Sequence, residues 1–473
     1  MLISIMLLAG FVLHLAFAAR AILRPAREPI SKLVWIMILF VFPFIGIVAY
    51  LLVGEVDLGL IRTAKTREVE TALPKPPHLK SARKLPPSFE STFRTASAVN
   101  GLPLTSVTSA HLQVNSNAAV TAMIADIAQA KETVHVAFYI WLTDTSGTRI
   151  ASALIDAATR GVSVRAMADA IGSKELIRSP LWIEMSKLGV KLKVMLPTRV
   201  GILPLLTPRV DLRNHRKLAI IDSAITYIGS QNMADPEFLP KKQFGPWYDV
   251  LVRLSGPVAL HQQYLFATDW MIEGGDDLSA LFIGKGATRA AGSAAQVFGT
   301  GPSMPVGSMS DNFSAALLAA QETVYITTPY FAPDSCLLQA MVATARRGVA
   351  VTIVVPMRND EFFLGLIVRS YYEEMLRAGI NIFEFPLGLL HAKTLVVDEK
   401  LSLFGSANMD RRSLELNYEN NILVCDVVLS KTLRARQDEY ISARTPITLA
   451  DVQNYSLLKK LFYNVCATLS PIL

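Results

Sequence analysis

The chain has 473 residues, of which 51% are hydrophobic, and a formal net charge of +7. Its three scattered cysteines exclude a disulfide framework and argue against a cysteine-ligated metal site. The positive charge suits an anionic lipid surface and nucleic acid equally well, so charge alone does not choose between these partners.

Two apolar runs open the chain: residues 2–19, with 18 uncharged residues, and residues 33–54, with 22. As a helix, each is long enough to cross a hydrocarbon core of about 30 Å, so residues 1–54 are predicted to form two transmembrane helices. Pro43 and Gly46 are compatible with membrane helices. A cleaved signal peptide is the alternative for the first run, although Met1 to Ser4 contain no Lys or Arg.

The loop between the two runs, residues 20–32, has four basic residues among its 13. The positive-inside rule therefore gives a weak preference for a cytoplasmic loop and an external catalytic body. Residues 55–110 are polar and contain proline pairs such as Pro76-Pro77. They are predicted to form a tether along the membrane.

Residues 111–256 and 306–473 have the same order of predicted elements. A strand (134–139 or 324–328) is followed by an amphipathic helix that ends in Arg-Gly-Val, an apolar strand, a second helix and a motif strand. This alternation predicts two duplicated α/β/α sandwich units related by pseudo-two-fold symmetry. The glycine-bearing stretch within residues 257–305 is predicted to connect them.

One motif occurs in both units with identical internal spacing. His215-Arg216-Lys217, Asp222 and Gly229-Ser230-Gln231-Asn232 recur in the second unit as His391-Ala392-Lys393, Asp398 and Gly405-Ser406-Ala407-Asn408. A single match is weak evidence, but two copies with equal spacing do not arise by chance. The candidate catalytic set is therefore His215, Lys217, Asp222, His391, Lys393 and Asp398.

Side chains alternate between the two faces of a strand, so His215 and Lys217 share one face and Asp222 points to the other. The second motif has the same parity. We interpret the two His-Lys pairs as the reactive surface. Asp222 and Asp398 are interpreted as structural residues that hold the turns beginning at Ser223 and Glu399.

Two histidines, two lysines and two asparagines brought together suit a phosphate ester. Lysine and amide donors hold the non-bridging oxygens, and this makes Asn232, Asn408, Ser230 and Ser406 candidate phosphate-binding residues. One neutral imidazole can attack phosphorus, while the other acts as acid and then as base. The two histidines must then differ in protonation state, and no metal or cofactor is required.

The first unit carries an insertion beside its motif, because the stretch from Gly189 to His215 is longer than the equivalent stretch from Gly379 to His391. The insertion includes the apolar run Val200 to Leu206. Two interpretations stay open: a loop that enters the bilayer interface near His215, or a loop that packs on the core.

These motifs resemble those of the phospholipase D superfamily, and within it the sequence is most similar to bacterial cardiolipin synthases of the two-transmembrane type. The resemblance extends over nearly the whole chain. It includes Tyr50 to Gly54, Arg213 to Lys217, Thr328 to Asp334, Arg369 to Tyr372, and Asn408 to Ser413.

The resemblance implies condensation of two phosphatidylglycerol molecules into cardiolipin and glycerol through a phosphatidyl-histidine intermediate. It implies His215 as nucleophile and His391 as acid and base. It also implies that Glu419 orients the histidine of the second motif and Asp249 that of the first. A solvated surface acid is the alternative for Asp249.

The same resemblance implies a phospholipid substrate, either phosphatidylglycerol or phosphatidylethanolamine, and a multi-pass location in the bacterial inner membrane without a nucleic-acid partner. Two other functions stay open. One is a membrane-tethered phosphodiesterase or nuclease with water as the acceptor, and the other is a catalytically inactive scaffold that binds anionic lipid.

Overall fold

The computed structural model describes residues 2–24, 29–56, 58–77, 85–197, 209, 211–283, 292–442 and 444–469. The apolar run Val200 to Leu206 lies outside these residues. The described α-helices are α1 (Leu2–Leu23), α2 (Pro29–Val41), α3 (Ile45–Ala49), α4 (Leu60–Ala72), α5 (Pro87–Asn100), α6 (Ser116–Ala128), α7 (Thr145–Thr159), α8 (Lys174–Ile177), α9 (Pro180–Lys187), α10 (Val258–Ile272), α11 (Ser308–Ala319), α12 (Ser335–Arg346), α13 (Phe362–Ser370), α14 (Tyr372–Arg377), α15 (Val427–Ile441), α16 (Leu449–Gln453) and α17 (Leu457–Leu469).

The described strands are β1 (Thr105–Val107), β2 (Ser109–Leu112), β3 (Thr133–Phe138), β4 (Ser163–Asp169), β5 (Lys191–Met195), β6 (Leu218–Ile221), β7 (Ile225–Gly229), β8 (Trp247–Tyr248), β9 (Leu251–Ser255), β10 (Ser293–Thr300), β11 (Thr323–Thr327), β12 (Phe331–Ala332), β13 (Ala350–Pro356), β14 (Asn381–Phe385), β15 (Leu389–Leu390), β16 (Thr394–Val397), β17 (Leu401–Gly405), β18 (Met409–Asp410) and β19 (Glu419–Cys425). Short π-helical turns lie at Tyr50–Gly54 and Arg412–Leu416, and 3-10 turns lie at Leu239–Phe244 and Ser279–Leu281.

Two large mixed sheets have matching strand orders. The first unit's sheet runs β2-β9-β7-β6-β3-β4-β5, and the second unit's sheet runs β1-β10-β19-β17-β16-β11-β13-β14. In each, three parallel strands (β3, β4 and β5, or β11, β13 and β14) continue into antiparallel strands that begin with the motif strand, β6 or β16. The duplication predicted from the sequence is confirmed.

Local sequence explains the helices that follow the first strand of each unit. Asp144 caps α7 by accepting a hydrogen bond from Gly147 N at 3.0 Å, and Asp334 caps α12 in the same way. The buried side of α7 contains Ile150, Leu154 and Ala157 at helical spacing. These helices pack on the outer faces of the sheets, in clusters that include Val164 of β4 and Ile353 of β13.

The inner faces of both sheets share one hydrophobic core with α10 and α15. Phe266 of α10, Val297 of β10 and Leu433 of α15 all belong to it. Residues 257–305 are therefore more than a connector: α10 is buried nearly all round, and β10 is the second strand of the larger sheet. The prediction of a simple connector is wrong for these two elements.

The predicted tether is also wrong in the parts that the structure describes. Phe89 and Phe93 of α5 are buried in the core of the second unit. β1 extends the sheet of the second unit, whereas β2 pairs with β9 of the first. Residues 87–112 are thus part of the catalytic body and link its two sheets.

The N-terminal helices α1 and α2 pack against each other, and Arg20 forms an ion pair with Glu55 at 2.7 Å. The second apolar run is broken: α2 ends at Val41, Pro43 cannot donate a backbone hydrogen bond, and Phe44 adopts a φ of 62°. Among the described residues, no helix is both long enough and apolar enough to cross a bilayer. The prediction of two transmembrane helices is therefore not supported.

Candidate active site

The backbone of each motif histidine is hydrogen-bonded to the opposite half of the chain. His215 N donates to Tyr418 O at 2.8 Å, and His391 N donates to Tyr248 O at 2.9 Å. The motif strands β6 and β16 begin only after the lysines, so the prediction that each His-x-Lys lies within its strand is wrong. The extended segment before each strand is instead hydrogen-bonded to the opposite unit.

Each histidine is held by a carboxylate from the opposite half. Nδ1 of His215 is 2.9 Å from Glu419 Oε2, and Nδ1 of His391 is 2.6 Å from Asp249 Oδ1. The assignment of each carboxylate to the histidine of its own half is therefore wrong. Asp249 is buried, which also overturns the alternative of a solvated surface acid. This pairing fixes Nδ1 as the donor and leaves Nε2 of each ring free for chemistry.

Serine hydroxyls hold the two carboxylates in place. Ser230 Oγ donates to Asp249 at 2.6 Å, while Ser406 and Ser413 both donate to Glu419. The motif serines, predicted to bind phosphate, are therefore bonded to the carboxylates. Each half of the site is a chain of serine, carboxylate and histidine, and Ser413 is a contact that sequence analysis missed.

The two lysines are buried beside the histidines. Lys217 Nζ donates to His215 O at 2.8 Å, and Lys393 Nζ donates to His391 O at 2.7 Å. Burial, partly offset by Asp249 and Glu419, lowers the pKa of Lys393 to about 8 and the pKa of Lys217 well below its ordinary value. Lys393 is charged at pH 7 because its pKa of about 8 lies above that value, and a buried cation attracts an anion such as a phosphodiester.

The histidines are neutral near pH 7. Burial is the largest influence and lowers the pKa of both His215 and His391 to about 4, although the paired carboxylates oppose the shift. Burial raises the pKa of Glu419 and of Asp249, but the histidines and lysines outweigh it, so both carboxylates remain ionised. Neutral imidazoles with a fixed tautomer are competent nucleophiles and bases.

A cavity of about 530 Å³ contains both histidines and both motif asparagines. Its walls differ: the Tyr139 ring lies 4.9 Å from His215, and the Trp247 ring lies 4.5 Å from His391. Trp247 and Asn417 occupy matching positions, each two residues before an orienting carboxylate. Sequence analysis gave no role in the site to these lining residues: Tyr139, Asp211, Arg213, Phe238, Lys241, Trp247, Tyr330, Asp360, Asp410, Arg412 and Asn417.

The two asparagines are not equivalent. Asn232 Oδ1 accepts from Ile140 N at 3.1 Å, which leaves its amide N-H groups for the cavity. Asn408 hydrogen-bonds Asp410, whose pKa burial raises to about 6. Asn408 Oδ1 is buried without a hydrogen-bond partner among the described residues. The first asparagine is thus placed as a donor, and the second offers an acceptor.

The motif aspartates lie outside the cavity. Asp222 accepts from the backbone N-H groups of Lys131, Glu132 and Thr133, at 2.8 to 2.9 Å, and Asp398 accepts from the equivalent groups of the second unit. They therefore hold the chain where it enters β3 and β11, and the prediction that they hold the turns beginning at Ser223 and Glu399 is wrong. This geometry supports the structural interpretation.

We expect Asp222→Asn to reduce stability and not chemistry. Burial raises the pKa of Asp222, but the three backbone donors outweigh it and hold the pKa below its ordinary value, so the stabilisation is lost as pH falls through that lowered pKa. The loss should be about 1–3 kcal/mol in the free energy of unfolding at neutral pH. Denaturant unfolding and kcat should be measured on the same preparation. A large fall in kcat at unchanged stability would contradict this prediction.

Comparisons with known proteins agree with this geometry. The family described as "Cardiolipin synthase, PLD-like domain" matches residues 123–264 and 313–440. "Phospholipase_D-nuclease N-terminal" matches residues 12–55. Both motifs and both orienting carboxylates fall within the first of these matches.

Curated relatives align over nearly the whole chain. Cardiolipin synthase A of Klebsiella pneumoniae is 34% identical over 451 residues, which cover 92% of each chain. Cardiolipin synthase A of Salmonella arizonae is 33% identical over 454 residues, 93% of this chain and 92% of the relative.

A solved structure shares the fold. The phosphatidylserine synthase of Haemophilus influenzae superposes with a TM-score of 0.59 at 14% identity, covering 81% of this chain and all of that one. The family match covers more than half of the chain, and a third of the aligned residues are identical in the curated relatives. This chain therefore belongs to the cardiolipin synthases of the phospholipase D superfamily and is a phosphatidyltransferase.

Proposed function

We propose that this enzyme moves the phosphatidyl group of one phosphatidylglycerol to a second, giving cardiolipin and glycerol through a phosphatidyl-histidine on His215. The observation that carries the proposal is the pair of buried histidines on one cavity, each held by a carboxylate of the opposite half. The relatives named cardiolipin synthase A support this choice of product.

In the first step, Nε2 of His215 attacks phosphorus and the bond to the glycerol oxygen breaks. His391, as an imidazolium, gives its proton to that oxygen so that glycerol leaves neutral. Lys217, Lys393 and Asn232 hold the non-bridging oxygens, where negative charge increases in the transition state.

In the second step, the terminal hydroxyl of the acceptor phosphatidylglycerol attacks phosphorus and releases His215. Neutral His391 takes the hydroxyl proton and so returns to its protonated form. The aromatic side chains of Phe238 and Trp247 beside His391 restrict water, which would otherwise yield phosphatidic acid.

His391 must take up a proton from solvent when the donor binds. Both histidines of the free enzyme are neutral at pH 7, because burial lowers their pKa to about 4. A bound phosphodiester anion stabilises one imidazolium and raises its pKa. Binding is thus coupled to protonation.

We therefore expect a non-hydrolysable phosphonate analogue of the donor to take up about one proton per site on binding at pH 7. Calorimetric titration in buffers of different ionisation enthalpy measures this uptake. His391→Ala should bind the analogue with uptake close to zero. Equal uptake by both proteins would contradict the assignment and place the proton on His215 or Lys217.

We also propose that the N-terminal helices associate with a bacterial membrane. Phe11, Val12 and Leu15 of α1 and Leu33 and Met37 of α2 are large apolar residues that are exposed in the isolated chain. Burying such side chains in lipid is favourable by about 1.5–3 kcal/mol each. The basic residues of the loop 20–32 suit anionic headgroups.

The test of the proposed reaction is lipid analysis by mass spectrometry after incubation with phosphatidylglycerol liposomes. Wild type should form cardiolipin and glycerol in equal amounts, and His215→Ala should form neither. Phosphatidic acid as the only product would replace the proposal with hydrolysis. No turnover of phosphatidylglycerol, with turnover of phosphatidylethanolamine, would change the donor.

A further inference from the structure

The outward side of the last helix, α17, is apolar. Leu458, Leu461, Phe462 and Val465 follow one another at helical spacing and are 48% to 80% exposed. The inward side, with Tyr463 and Cys466, is buried. A short helix that is apolar on both sides needs a second apolar environment.

The inward side of α17 packs on α13. Cys466 and Ala467 contact a cluster that includes Ile367 and Leu364 of α13. At the start of α13, Phe362 and Phe363 are also more than half exposed. We call the exposed apolar residues of these two helices the α13–α17 face: Phe362, Phe363, Leu458, Leu461, Phe462 and Val465.

A small apolar recess joins this face to the active-site cavity. It has a volume of about 130 Å³, and Ala332, Phe363 and Ile367 line it. Four residues line both the recess and the cavity with His215 and His391: Glu361, Leu364, Asp410 and Arg412. The apolar side chain of Leu364, with charged side chains next to it, therefore links the exposed Phe363 to the active-site cavity.

We infer that the α13–α17 face is a second membrane-contacting surface, which rests on a bilayer containing anionic phospholipid and sets the cavity mouth toward the lipid headgroups. This inference rests on the proposed lipid substrate, since an acyl chain beside the phosphodiester needs an apolar route out of the cavity.

The charge at the edge of the face favours a bilayer over a second copy of the chain. Lys459 is exposed, and its Nζ lies 4.2 Å from the centre of the Tyr455 ring. A lysine beside exposed leucines, with aromatic rings next to it, is typical of helices that lie in the interface of anionic membranes.

The test compares two double variants in the full-length chain. Leu458→Glu/Leu461→Glu places two charges on the face, and Val114→Glu/Ile183→Glu makes the same change at exposed residues of the first unit. We expect the first to lose about tenfold or more of its activity on phosphatidylglycerol liposomes. Its activity on a soluble short-chain phosphatidylglycerol should be retained, and the control should match wild type on both substrates.

Contact with lipid is measured directly by the fluorescence of an environment-sensitive dye attached at Leu461→Cys or Val114→Cys. The exposed Cys336 is replaced by Ser in both variants. In phosphatidylglycerol vesicles the dye at position 461 should shift to the blue, and the dye at position 114 should not. Unchanged liposome activity of the Glu variant together with an unshifted dye would overturn the inference. So would a shift without lipid that grows with protein concentration, because it would assign the face to a second copy.

These outcomes are separable from the proposed function. If wild type forms no cardiolipin while the dye at position 461 reports lipid, the reaction is wrong and the surface stands. If wild type forms cardiolipin, the Glu variant does so equally well on liposomes and the dye at position 461 does not shift, the reaction stands and the surface is wrong.

Discussion

Given a phosphatidyl donor with p-nitrophenol as the leaving group, His391→Ala will release about one nitrophenol per enzyme and then stop, while His215→Ala will release none. Nitrophenolate leaves without protonation, so the first step needs the nucleophile but not the acid. The second step needs a base for the acceptor hydroxyl, and His391→Ala lacks it. The phosphatidyl group should therefore stay on His215.

Stopped-flow absorbance measures the burst, and mass spectrometry of the quenched protein locates the adduct. Steady turnover of phosphatidylglycerol should fall by about 10²- to 10⁴-fold in His391→Ala and by up to about 10⁶-fold in His215→Ala. Asp222→Asn, whose side chain lies outside the cavity, is the control and should turn over normally. A burst from His215→Ala, or an adduct on His391, would exchange the two roles.

The sequence alone was sufficient to predict the duplication and to identify the two histidines of the site. Identical spacing in two places identified His215 and His391, and the alternation of apolar runs with helical patterns predicted two related α/β units. The alternation of side chains along a strand also separated Asp222 from the reactive side chains, although its premise, a strand that includes His215 and Lys217, is wrong. Sequence analysis did not predict which backbone groups the Asp222 carboxylate binds, because the turn before β3 lies far earlier in the chain.

Burial of polar helices was harder to predict. α5 resembles a polar segment because serine and threonine separate its apolar residues, and the signal for its buried side was the helical spacing of Phe89, Phe93 and Ala96. α10 contains His261, Gln262 and Gln263, all of which are buried. A helix enclosed on every side has no apolar stripe, so periodicity does not identify it.

The exchange of carboxylates between halves also has no local signal. Along the chain, Glu419 is much nearer to His391 than to His215, so proximity in sequence favours the wrong partner. The correct partner follows from backbone pairing: Asn214 bridges to Tyr418, and β15 pairs with β8. Such contacts between the halves depend on how the two sheets pack, which neither motif encodes alone.

Because each carboxylate holds the histidine of the opposite half, we expect a second large effect on activity from changing the carboxylates. Glu419→Gln should behave like His215→Ala and give no nitrophenol burst, whereas Asp249→Asn should behave like His391→Ala and give a burst without turnover. Each amide keeps the shape of the side chain but no longer fixes Nδ1 as the donor or stabilises the charged ring. The comparable change in a Ser-His-Asp triad lowers kcat by about 10⁴-fold.

The burst results of these two variants distinguish pairing across the halves from pairing within one half. Glu419 follows the motif of His391 in the chain, and Asp249 follows the motif of His215. If each carboxylate served the histidine of its own half, Asp249→Asn would abolish the burst and Glu419→Gln would preserve it. Glu415→Gln is the matched control: it makes the same chemical change four residues before Glu419, at a side chain that is 35% exposed and pairs with Arg411. Its burst and turnover should equal those of wild type, since Glu415 orients no catalytic group.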